Sequence, residues 1–305
     1  MRPAEIQWTD LFEEHYVDLV GAAPETTVAA RLRDRGLVTF DGMNGRHAVV
    51  AIVSRIMTIT PHRDSDPDGL TTIRDTGRRG NLEGFAGLGR GELAPHTEGS
   101  GVPEPPRLVL LVCEQPADRG GMSLLADGRA VHADLFIRNR PAALMLSRPR
   151  TVLFGQGSGF PSQVFSLHSD ARISVRLRQD ALARWNPFVA PYLPRLVEAI
   201  TRNQHGIVLG AGQGYLADNH RWLHARTGFS GDRRYLRALG EPRFELARGF
   251  APDPYAAISP DAVRDSLGPI GFGGEDDSGG GTDGDDGEGG NPSGGCGDGD
   301  GCGRS

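Results

Sequence analysis

The chain has 305 residues, 38% hydrophobic and 24% charged, which is enough to bury the core of one large domain or two small ones. Mean hydropathy is −0.35, no run approaches the roughly 18 consecutive apolar residues of a membrane span, and three cysteines exclude a disulfide framework. The net charge of −6 comes from residues 273–305, which hold 15 glycines and nine acids against the single base Arg304, whereas residues 1–272 carry 32 bases and 30 acids and so lack the basic surface of a nucleic-acid or membrane-surface binder.

The opening MRPAEIQWTDLFEEHYVDLV has no basic region followed by an apolar one, so no signal peptide is expected. Cys113, alone in an apolar run, fits a reducing cytoplasm. Residues 9–20 are expected to form an amphipathic helix, and Thr26–Gly36 a second one closed by glycine. LVTFDG (37–42) reads as a strand into a turn, and the apolar 47–60 suits strand or helix. From Pro61 to Pro106 the sequence is rich in Gly, Asp and Pro, a long loop region of the kind that carries function on a scaffold. Residues 107–117, 151–155 and 172–178 read as strands. The spacing of Leu193, Leu196, Val197 and Ile200 predicts a helix within 190–204, and 205–227 reads as strand, turn, strand. Many short strands without βαβ alternation predict a mainly β fold with flanking helices, built on a double sheet. One domain is expected over 1–272. The tail 273–305, poor in apolar side chains, is expected to be disordered, with Cys296 and Cys302 incidental.

The motif with most chemical content is PHTEGSG (95–101). On a strand, residues i and i+2 point to one face, so His96 and Glu98 can grip one ion. A third ligand must come from another strand, and His224 in DNHRWLHARTGF (218–229) is placed to supply it. Two imidazoles and one carboxylate make the facial triad of non-haem iron oxygenases. An H-x-E pair alone is weak in a chain with nine histidines, where a hydrogen-bonded loop pair is the common outcome.

HTEGSG, LVLLVCEQPADRGGMSLL, DNHRWLHAR and GDRRYLR, spread from about Pro61 to about Leu239, together resemble the TauD/TfdA family of Fe(II)/2-oxoglutarate-dependent dioxygenases, in its clavaminate-synthase-like branch. The resemblance implies a double-stranded β-helix (jelly-roll) core, with His96, Glu98 and His224 as catalytic metal ligands. It also implies an arginine fork for the far carboxylate of 2-oxoglutarate, with Arg234 ranked first, Arg237 second and Arg233 the remaining candidate. Ser123 matches a small hydroxyl residue bonding the same carboxylate. Asn219 and Arg226 would orient His224 and support the cosubstrate pocket.

The implied activity is hydroxylation of an unactivated C–H bond in a small polar, amino-acid-like substrate, with release of succinate and CO2. Desaturation or cyclisation in a natural-product pathway is the alternative at the same site. The presence of Glu98, which the related halogenases lack, argues against halogenation. Loops 61–95 and 155–170 would form lid and walls, offering Arg63, Asp64, Arg74, Gln156, Ser158 and His168 as polar contacts, whereas His62, His132 and His168 lack a partnered carboxylate at ligand spacing and read as surface, loop or core histidines, with His62 or His168 the candidates for the entrance. Expected partners are the small substrate and O2, with no nucleic acid and no membrane; the oligomeric state stays open. Two rivals use other chemistry: a zinc hydrolase on the same three ligands, and a non-catalytic β-fold binding module. The glycine clusters GLGRG (87–91) and GAGQG (210–214) read as turns rather than nucleotide loops.

Overall fold

The computed structural model describes residues 10–21, 23–77 and 84–254; the tail 273–305, with Cys296 and Cys302, lies outside them. Helix α1 covers only Leu11–Glu14, not 9–20. A competing partner takes the backbone after it: His15 accepts from the Thr39 N–H, and Thr39 in turn accepts from the Val17 N–H. Helix α2 (Pro24–Arg35) begins on a proline and stops at Gly36, whose φ of +69° is left-handed, the usual glycine exit. Strand β1 (Leu37–Phe40) follows.

The ambiguous run 47–60 divides into helix α3 (Arg46–Ile56) and strand β2 (Met57–Ile59). Val49, Ile52, Val53 and Ile56 recur at helical spacing and are all buried. Then come β3 (Thr71–Arg74), β4 (Leu93–His96), β5 (Leu108–Gln115) and β6 (Ser123–Asp127). Helices α4 (Gly128–Arg138) and α5 (Arg140–Ser147) are capped by the side chains of Asp127 and Asn139, which accept from the N–H groups of Arg129 and Ala142. Helix α6 (Leu193–Arg202) precedes β7 (Gln204–Ile207), β8 (Gly214–Asp218), β9 (Trp222–Arg226) and β10 (Arg234–Pro242).

Among the described residues these strands form the two largest sheets, both antiparallel, with smaller two- and three-stranded ribbons elsewhere. The larger has the order β1-β8-β5-β10, with β2 and β3 both on the far side of β10; the smaller has the order β7-β6-β9-β4. Neighbours are seldom consecutive in sequence, the pattern of a jelly roll. Strand alternation sorts the side chains. Leu108, Leu110, Val112, Leu216, Leu236 and Ala238 pack with α2 and α3 on the outside of the larger sheet. Ala126 and Leu223 pack with α4, α5 and α6 outside the smaller one. Cys113, Leu125, Tyr215, Trp222 and Tyr235 fill the space between the sheets. The expected fold class, mainly β with flanking helices, is what forms. No helix among the described residues is long and apolar enough to cross a membrane.

Candidate metal centre

Strand β4 is the edge of the smaller sheet, and its last residue, His96, stands directly opposite His224 on β9. Their imidazole centroids are 4.2 Å apart. The strand ends there, so Glu98 lies in the following turn rather than on the strand. The alternation nevertheless survives one step further. Thr97 turns the opposite way, is buried, donates its N–H to the Leu177 carbonyl (2.8 Å) and accepts the Leu177 N–H on its hydroxyl (3.1 Å). Glu98 therefore returns to the side of His96. Gly99 makes the turn possible: its φ is +65°, and a Cβ there would sit 2.8 Å from Pro106 Cδ.

Among the described residues, His96, Glu98 and His224 form the one group whose candidate ligand atoms all lie within 4.8 Å of one another. Glu98 Oε1 is 3.6 Å from His224 Nε2 and accepts a 2.6 Å hydrogen bond from Arg237 Nη1. A proton on His96 Nδ1 satisfies the Ala94 carbonyl at 2.9 Å and leaves Nε2 with its lone pair. Burial, assisted by His224, pushes the His96 imidazole down to about 4, so it is a neutral donor at pH 7. Burial alone would raise the Glu98 carboxyl; Arg237, then His224 and His96, outweigh it and hold the group well below the usual carboxylate range. Imidazole nitrogens plus an ionised carboxylate suit a divalent first-row metal, and the residues present fit iron.

The ligands open on a cavity of about 670 Å³. Ser123, Tyr215, Arg226, Arg233 and Arg237 all line it. The expectation for Arg234 is corrected. Along β10, Tyr235 and Arg237 face between the sheets, whereas Leu236 and Ala238 face α3. By the same parity Arg233 turns inward, 5% exposed, with its guanidinium 3.6 Å over the Tyr235 ring. Arg234 turns outward, half exposed, and pairs with Glu114 at 3.1 Å. Period-two reading of GDRRYLR would have singled out Arg233 and Arg237, four residues apart on one face.

Asn219 does not line the cavity either; its amide holds the main chain of Glu98. Arg226 donates to the carbonyls of Gly87 (3.3 Å), Gly89 (2.7 Å) and Gly91 (2.6 Å), and Gly87 and Leu88 of the GLGRG segment line the cavity. GAGQG is the turn between β7 and β8. His62, Arg63, Asp64 and Gln156 reach the cavity; Arg74, Ser158 and His168 do not. His168 instead bonds Ser174 at 2.9 Å. Tyr215, unnoticed in the sequence, is the inward residue of a buried strand and carries no motif.

A jelly roll with two facing histidines and a carboxylate between its sheets defines the class of non-haem metal oxygenases. The family description "Taurine catabolism dioxygenase TauD, TfdA family" matches residues 12–239, and the chain belongs to that family of enzymes. Among solved structures, an asparagine oxygenase in complex with Fe(II), 2S,3S-3-hydroxyasparagine and succinate superposes with a TM-score of 0.59 at 16% identity, over 72% of this chain and 79% of the other. The non-haem iron oxygenase OrfP in complex with Fe, succinate and (3S)-hydroxy-L-Arg gives 0.53 at 14% identity, over 71% and 80%. The PvcB protein of Pseudomonas aeruginosa gives 0.57 at 14% identity, over 72% and 81%. At such identities the likeness speaks for the fold. No curated protein matches the sequence.

Proposed function

We propose that the chain is an Fe(II)/2-oxoglutarate-dependent oxygenase that hydroxylates a C–H bond of a small amino-acid-like substrate. The observation that carries this reading is the convergence of His96, Glu98 and His224 on one point beside the cavity. When bound, iron and 2-oxoglutarate supply the oxidising power: with O2 the cosubstrate becomes succinate and CO2, and one oxygen atom goes to the substrate.

The chain's own residues set the rest. His96, Glu98 and His224 would hold the metal, beside a cavity that has room for cosubstrate and substrate. Arg233, buried at the wall that also carries Ser123, presents a fork of N–H donors for the far carboxylate of the cosubstrate. Arg237, next to Glu98, suits the carboxylate of the substrate. Glu98 fills the position a halide would need, which favours hydroxylation over halogenation. The amino-acid products held by asparagine oxygenase and OrfP support a substrate of that kind. The reading takes residues 1–272 as the catalytic domain, a reducing cytoplasm as its setting, and small molecules and O2 as its partners, without nucleic acid or membrane.

Anaerobic addition of Fe(II) and 2-oxoglutarate is expected to give a visible metal-to-ligand charge-transfer band that His224→Ala abolishes. A protein that gives no band and no O2 uptake dependent on 2-oxoglutarate, yet binds zinc, would be a hydrolase instead.

A further inference from the structure

Asn219 is 1% exposed and sits in the turn between β8 and β9, five residues before His224. Its side-chain oxygen accepts the Glu98 N–H at 2.8 Å, and its side-chain nitrogen donates to the Glu98 carbonyl at 3.0 Å and to the Pro106 carbonyl at 2.8 Å. A single amide thus makes both hydrogen bonds that a neighbouring strand would make to Glu98, at the place where β4 has ended. Glu98 has no strand partner of its own there, because the ladder to β9 stops at His96.

The amide is itself fixed from behind. The Asn219 N–H donates to the Arg107 carbonyl (2.9 Å). Arg107 forms a buried fork with Asp218, at 2.9 and 3.0 Å, and also bonds the Ala247 carbonyl. The Asp218 carboxylate receives the His220 N–H at 2.9 Å as well. The turn that carries Asn219 is therefore clamped on both sides of that residue.

We infer that Asn219 is a positioning residue: it substitutes for a missing strand and fixes the main chain of Glu98, so that the carboxylate meets the two imidazoles at a set distance. This rests on the metal reading given above. Residues of this kind, which hold a ligand without touching the ion, typically change metal affinity by roughly 10- to 100-fold when removed.

The test is anaerobic titration of the full chain with Co(II), read from its visible d–d spectrum, for wild type, Asn219→Ala, Asn219→Ser and Leu236→Ala. Leu236 is buried on the outer face of β10, away from the ligands, and its truncation serves as the control for lost stability. Asn219→Ala is expected to weaken Co(II) binding by roughly 10- to 100-fold and to shift the d–d bands, while Leu236→Ala binds as wild type does. Should Asn219→Ala fail to fold, Asn219→Ser, which keeps a polar group but is too short to span the three partners, carries the same expectation. Wild-type affinity and spectrum in either Asn219 variant would overturn the positioning role, as would an equal loss in Leu236→Ala. Absence of Co(II) binding in the wild type would overturn the metal reading itself.

Discussion

Arg233 and Arg234 are adjacent in sequence, yet a strand sends them to opposite sides. Arg233 is buried at the cavity wall, over Tyr235, whereas Arg234 pairs with Glu114 in the open. Truncating a buried charge that holds a carboxylate costs about 2–4 kcal/mol, roughly 30- to 1,000-fold. An exposed ion pair contributes about 1 kcal/mol or less. Arg233→Ala is therefore expected to raise the KM for 2-oxoglutarate by roughly 30-fold or more, and Arg234→Ala by no more than about fivefold. Steady-state succinate release as a function of 2-oxoglutarate decides it; the reverse order would put the cosubstrate carboxylate elsewhere. The two arginines could not be told apart from composition, because both read as a basic cluster. Parity along the strand separates them once its face is known.

At the scale of elements, the helices outside the smaller sheet hold an uncommon core residue. His132 on α4 is fully buried, its ring 5.0 Å edge-on from that of Phe165 and 6.4 Å from that of Phe136, with neither nitrogen hydrogen-bonded among the described residues. Burial pushes its pKa from 6.5 down to about 4. The lowered value means that the unfolded chain takes up the proton first as pH falls. The stability this neutral ring contributes is complete above pH 6.5 and is lost progressively down to about 4, a span worth about 3 kcal/mol. Urea unfolding at pH 7 and pH 4.5 is expected to show wild type losing about 2–3 kcal/mol more over that interval than His132→Leu. Equal losses in both proteins would show that the imidazole is already hydrogen-bonded or solvated.

Element boundaries were readable where one interaction dominates. Gly36 ends α2 where the sequence places a glycine, and Val49, Ile52, Val53 and Ile56 keep helical spacing. They were not readable where a distant strand competes, as with Tyr16 and Val17, which leave the helical pattern to pair with β1. The metal ligands stood out because their spacing is local for His96 and Glu98 and because His224 carries a recognisable neighbourhood. Tyr215 and the true partner of Asn219 depend on contacts across 100 residues or more, which no local pattern encodes.

For the whole molecule, charge and catalysis are proposed to be separable. Residues 273–305 contribute −8 of the net −6, and residues 1–272 are at +2. A chain ending at residue 272 is expected to keep kcat within about twofold while moving from anion-exchange to cation-exchange retention at pH 7. Loss of turnover with retained Co(II) binding would assign the tail a part in the reaction and end the single-domain reading.

The register that sets His96 opposite His224 has a mechanical side. β4 is only four residues long, lies at the border of its sheet and is joined to β9 through an irregular ladder. An ion shared by the two imidazoles would rivet that border to the strand inside it. Iron scarcity would then act on the protein twice, stopping turnover and loosening the margin of the sheet, so that starved enzyme is the form most open to proteolysis at residues 93–98.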